Sequence, residues 1–102
     1  MILSKAHERR IREAIRAVHE RRLGESLAQV EDAIKQWREG AMPVFEVDAA
    51  ILKHTERARK FFIHYANTAA SAPEAIGVLD EAMHLGLITR EEYAELTTLK
   101  KV

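Results

Sequence analysis

The chain has 102 residues, with sixteen basic and sixteen acidic side chains, no cysteine, two prolines and four glycines. This length predicts one domain over residues 1–102, and the lack of cysteine excludes disulfides and thiolate metal sites. So few prolines and glycines argue against a turn-rich all-β fold and favour a helical one. No run approaches the roughly eighteen apolar residues of a membrane span, and the first residues lack a signal-peptide pattern. We therefore expect a cytoplasmic protein with no membrane association.

The charge cancels in total but is sorted along the chain. Residues 1–24 carry seven Lys or Arg against three Glu, and residues 25–48 carry two against six Asp or Glu. Residues 49–71 carry four against one, and residues 72–102 carry three against six. Each block coincides with a helical pattern. We therefore expect the first, basic helix to lie beside the acidic second one, and the basic third beside the acidic fourth.

The first helix is predicted over about residues 4–22, where apolar residues recur at helical spacing on one face. Gly24 is a plausible break, since glycine is favoured just past a helix end. The sequence from Ser26 to Gln29 has the spacing of a capping box and predicts a new helix. The alternative is one long helix over about 5–39 that tolerates Gly24. The break is the favoured interpretation.

The second helix ends at the loop 40–43, and the longest pattern follows it over about 44–70. One apolar stripe of this third helix contains Val44, Val47, Ile51, Ala58, Phe62, Tyr65 and Ala69. A second stripe beside it contains Phe45, Leu52, Ile63, Ala66 and Ala70. Together they cover more of the helix than one neighbour needs. We expect an all-α bundle of four or five helices packed around this long central helix, with Trp37 and Phe62 in its core.

Start and stop signals define the last two helices. Ser71 and Pro73 predict the start of the fourth helix and Gly86 its end. Thr89 and Glu92 have capping-box spacing and predict the start of a short fifth helix. The stretch that ends in Gly-Leu-Ile-Thr-Arg-Glu-Glu-Tyr93 resembles the short helical-pair modules that end many bacterial proteins. The resemblance covers about a fifth of the chain, and it implies two helices joined by a turn and no function.

Metal-binding patterns are incomplete in this sequence. His7 and His19 each begin an H-E-x-x sequence, but the second histidine of the zinc-protease motif is missing in both places. Glu81 and His84 form a single E-x-x-H motif, whereas di-iron bundles need two together with further glutamates. His54 lies at the edge of the apolar face of the third helix, either as a ligand or, as we favour, as a boundary histidine with one nitrogen hydrogen-bonded. We predict no cofactor and no metal.

Two surfaces remain as candidate sites. A basic stripe opposite the apolar face of the first helix could bind phosphates; it contains Lys5, Arg9, Arg12 and Arg16. The second stripe of the third helix, with Phe45, Leu52 and Ile63, is a candidate oligomer interface. The sequence favours a non-catalytic interaction or oligomerisation domain with a second copy or another protein as partner. The alternatives are a nucleic-acid-binding accessory protein that uses the basic stripe, and a metal- or ligand-binding bundle.

Overall fold

The computed structural model describes residues 4–101, and their side chains as far as Thr98. This part of the chain is all-α: α1 is Lys5–Arg38, α2 is Val44–Phe61, α3 is Glu74–His84 and α4 is Arg90–Lys101. A π-helical turn, Phe62–Ala66, extends α2. The described residues form no strand. The predicted fold class is confirmed.

The favoured break at Gly24 is wrong, because α1 continues through it for 34 residues. At 1.5 Å per residue, this helix is about 51 Å long. Gly24 costs about 1 kcal/mol relative to alanine in a helix interior, but buried residues on both sides, Val18 and Ala33, hold the helix against its neighbours. The expected capping box does not form, since Ser26 lies buried inside α1 and its hydroxyl contacts α2 instead.

The central helix is α1, and the expected central position of residues 44–70 is wrong. The first half of α1 packs against the π turn and α3, and its second half packs against α2. The helical stretch that begins at Val44 also ends earlier than expected, at Ala66. Because a 34-residue helix is much longer than α3 or α4, only α1 reaches every other part of the molecule.

The predicted loops are confirmed in position, but the capping box predicted from Ser71 is wrong: α3 begins at Glu74, and its N-cap is Pro73 with no side-chain hydrogen bond. Gly40 and Gly86 both adopt positive φ, +80° and +74°, in the left-handed conformation that favours glycine. After α3, the Leu87 amide donates to the Ala82 carbonyl at 2.9 Å, as in a Schellman stop. Thr89 Oγ1 accepts from the Glu92 amide at 3.0 Å, so the predicted capping box forms.

The main hydrophobic core lies at one end of the molecule. It joins the first half of α1, the π turn, α3 and α4, and its members are Ile11, Ala14, Ile15, Val18, Tyr65, Ala70, Ala75, Val78, Leu79, Ala82 and Leu96. The molecule measures 57 × 23 × 17 Å, with a radius of gyration of 17.4 Å. A compact chain of this length would have about 13 Å. The molecule is therefore elongated, with a packed end and a protruding hairpin.

Basic segments do lie beside acidic ones, but not in the expected pairs. The basic first half of α1 faces α3 and α4, where Arg10 Nη1 lies 3.0 Å from Glu95 Oε1 and Arg22 Nη2 lies 2.6 Å from Glu81 Oε2. The acidic second half of α1 lies along α2, which carries the third, basic block. The expectation of separate basic and acidic helices in the first 48 residues is wrong, because both blocks belong to one helix.

Candidate interaction surface

The protruding part is an antiparallel hairpin made of α2 and residues 25–38 of α1. A buried polar contact joins the two helices at mid-length: Ser26 Oγ accepts a hydrogen bond from Arg57 Nε at 2.8 Å and lies 2.9 Å from His54 Nδ1. His54 is therefore half-buried with one nitrogen bonded, as the favoured interpretation predicted. The other buried residues of the hairpin are small or medium in size, Ala33 and Val47.

Because small side chains fill the contact between α1 and α2, the large apolar side chains of the hairpin lie outside that contact. Eight large hydrophobic side chains of the described residues are exposed, and all of them lie between positions 27 and 63. We call them the apolar hairpin surface: Leu27, Trp37, Val44, Phe45, Ile51, Leu52, Phe62 and Ile63. Large apolar side chains exposed along one segment in this way are a candidate binding surface.

The two edges of the hairpin differ in chemistry. One edge is a groove between the helices, lined by the charged or amide side chains Gln29, Asp32, Glu46 and Lys53 and by the small or apolar residues Ala33, Met42, Ala49 and Ala50. On the helical wheel, Leu27 of α1 and the residues Val44 and Ile51 of α2 fall on the other edge. The apolar hairpin surface therefore forms the second edge and continues around the outer side of α2.

The predicted interface residues are exposed, as that prediction requires. Phe45 is 83% exposed and Leu52 61%, and Ile63, in the π turn, is 54% exposed. The expected core positions are wrong in two places, since Phe62 is 58% exposed and Trp37 43%. The physical reason is that, among the described helices, α2 packs mainly against α1, where the sequence had suggested neighbours on two sides.

The basic stripe lies on the solvent-exposed side of α1, as predicted. Lys5, Arg9, Arg12 and Arg16 are all exposed. Arg16 Nε pairs with Glu20 Oε1 at 3.1 Å, while the other three form no ion pair with another described residue. Arg12 and Arg16 also line a cavity of about 250 Å³, together with His19 and Tyr65. The structure therefore brings part of the stripe next to the π turn.

The candidate metal ligands are not brought together. Glu81 points to Arg22 and Tyr65, whereas His84 is exposed, with Nδ1 2.8 Å from the Asp80 carbonyl oxygen. Among the described residues, no three His, Asp or Glu side chains cluster in a way that could hold a metal ion.

A network of hydrogen bonds joins the π turn to α1 and α3. The Tyr65 hydroxyl donates to Glu81 Oε1 at 2.9 Å, and Arg22 Nε donates to Glu81 Oε2 at 2.8 Å. The Tyr65 ring also lies against His19, with the ring centroids 5.6 Å apart. Burial raises the pKa of the Tyr65 phenol above its ordinary value, and the bond to Glu81 raises it further. The hydrogen bonds to Glu81 and Glu25 raise the pKa of Arg22.

Replacing Tyr65 with phenylalanine is expected to lower the free energy of unfolding by about 1–2 kcal/mol at neutral pH, because a bond to a charged group is lost. In the wild type the folded state holds the Tyr65 proton to higher pH than the unfolded chain does. As the pH rises above the ordinary tyrosine value of 10.0, the unfolded state loses that proton first, so the folded state loses stability. Urea unfolding on both sides of pH 10 should show the difference between wild type and Tyr65→Phe shrinking as the pH rises. A difference in unfolding free energy that stays constant with pH would contradict a stabilising role for the Tyr65 hydroxyl.

Comparison with family models, with curated proteins and with solved structures found no match to this chain. Within residues 4–101, none of the helices combines the length and the hydropathy that a membrane span requires.

Proposed function

We propose that this chain is a homo-oligomerisation domain whose apolar hairpin surface binds a second copy, a binding role and not a catalytic one. The observation that carries the proposal is that the exposed large hydrophobic side chains of the described residues lie on the hairpin and on the start of the π turn that extends α2, where Phe62 and Ile63 are. A two-helix hairpin cannot cover both sides of its helices. Burying the apolar surface against another helical pair supplies the missing layer.

A second copy is the partner that the charges favour. Between the apolar side chains, the outer side of α2 carries exposed charges of both signs, on Asp48, Glu56 and Arg59. Another copy offers the same charges, so Asp48 and Arg59 can each meet an opposite charge. Two-fold dimers are also the commonest soluble assemblies, and the chain carries no net charge that would oppose the approach of two copies.

An introduced thiol tests whether this surface is the contact, because the natural chain has no cysteine. Thr55 is exposed in the middle of the outer side of α2. We expect Thr55→Cys to be joined into covalent dimers by a short thiol-specific cross-linker at micromolar protein concentration. Gln29→Cys is the matched control, since Gln29 lies in the groove on the other edge. Equal cross-linking of both variants, or none of Thr55→Cys, would contradict the proposal.

A further inference from the structure

The outer side of α2 carries a row of exposed residues with the alternating three- and four-residue spacing of a coiled-coil seam. We call this row the α2 seam: Phe45, Asp48, Leu52, Thr55, Arg59 and Phe62. All six are exposed, and the buried Val47 faces away from them toward α1. The first helix therefore does not cover the seam.

The α2 seam is self-complementary when it is reversed. Phe45 and Phe62 lie equally far from the point between residues 53 and 54, and the same is true of Asp48 and Arg59. Two antiparallel copies centred on this point would place Phe45 opposite Phe62 at both ends and Leu52 opposite Thr55 in the middle. They would also place each carboxylate opposite a guanidinium.

We infer that two copies pair through α2 in antiparallel orientation, across a two-fold axis near residues 53 and 54, with Asp48 of each copy facing Arg59 of the other. This inference rests on the proposed function and adds the partner's orientation and register. A parallel two-fold pairing would place Asp48 against Asp48 and Arg59 against Arg59, which is repulsive. A slip by one heptad would separate Asp48 from Arg59 and place Asp48 opposite the apolar Leu52 or Ala66, at a cost in desolvation. Polar seam residues specify orientation and register in coiled coils in the same way.

The two charges are free to make this contact. Neither Asp48 nor Arg59 forms an ion pair with another described residue of its own chain, and both side chains are exposed. Two ion pairs would form in the dimer, one at each side of the axis. Because the flanking seam residues Phe45, Leu52 and Phe62 exclude water on both sides, these pairs would be less screened than ordinary surface pairs.

A charge-exchange experiment tests the register. Asp48→Arg alone makes both contacts Arg against Arg, and Arg59→Asp alone makes both Asp against Asp. Each single variant is expected to weaken self-association by about tenfold or more. A mixture of the two variants restores both opposite-charge contacts, so a heterodimer should form with nearly wild-type affinity. Sedimentation velocity with one variant fluorescently labelled measures all three associations.

The double variant Asp48→Arg/Arg59→Asp is the internal control, since it reverses both charges and should again form a homodimer. If the wild type forms a dimer but the single variants also associate normally, the register is wrong and the proposed function stands. The same holds if the wild type forms a dimer but the mixture of variants forms no heterodimer. A wild type that stays monomeric would overturn both.

Discussion

Replacing Leu79 with alanine is expected to lower the free energy of unfolding by about 2–5 kcal/mol. Leu79 is fully buried in α3, at 0% exposure, among core residues of α1 and α4. Truncation removes apolar burial and leaves a cavity that the short α3 can close only in part. Because a small helical domain has little stability to lose, the change is large enough to leave part of the protein unfolded at room temperature.

Leu52→Ala is the matched control, because the same truncation is made on the exposed side of α2. It should change stability by no more than about 0.5 kcal/mol in the monomer. Both variants are compared with wild type by urea unfolding in dilute protein, where dimerisation does not contribute. Equal losses for the two leucines would mean that the core does not lie at the α3 end of the molecule.

Replacing Leu52 with arginine is expected to convert the dimer into a folded monomer. Each dimer loses two buried leucine side chains and gains two charges in an apolar contact, which should weaken association by about a hundredfold or more. The fold of each copy should persist, since Leu52 contributes little to the core of its own chain. Light scattering gives the molar mass, and circular dichroism checks that the helical content is unchanged.

Gln29→Arg introduces the same side chain in the groove on the other edge of the hairpin and serves as the control. It should leave the dimer intact. If both arginine variants dissociate the dimer, the effect is one of net charge and not of the apolar hairpin surface. If neither does, the copies meet elsewhere.

Local signals predicted most of the helix boundaries. The glycines at 40 and 86 end helices because only the left-handed conformation closes those turns, and Thr89 begins α4 through a hydrogen bond within its own first turn. Such signals depend on a few neighbouring residues, so the sequence carries them completely. The exposure of Phe45 and Leu52 was predicted for a similar reason, since two apolar stripes exceed what one neighbouring helix can cover.

The wrong predictions concern features that depend on contacts between residues far apart in the sequence. Gly24 and Ser26 have the local features of a helix break, but the Ser26 hydroxyl contacts Arg57, and this contact holds α1 together with α2. Whether Phe62 is core or surface depends on how many helices surround α2, which the spacing along α2 does not state. The pairing of charged blocks depends in turn on α1 being continuous. A hydrogen-bond network joins three elements through Tyr65, Arg22 and Glu81, and no spacing in the sequence predicts it.

The most direct test of the central claim, that two copies meet through the hairpin, is the molar mass of the wild-type chain in solution as a function of concentration. The chain has a mass of 11.6 kDa. Light scattering at micromolar concentration should give twice this mass, falling toward the single value on dilution. A mass of one chain throughout the micromolar range would contradict the account.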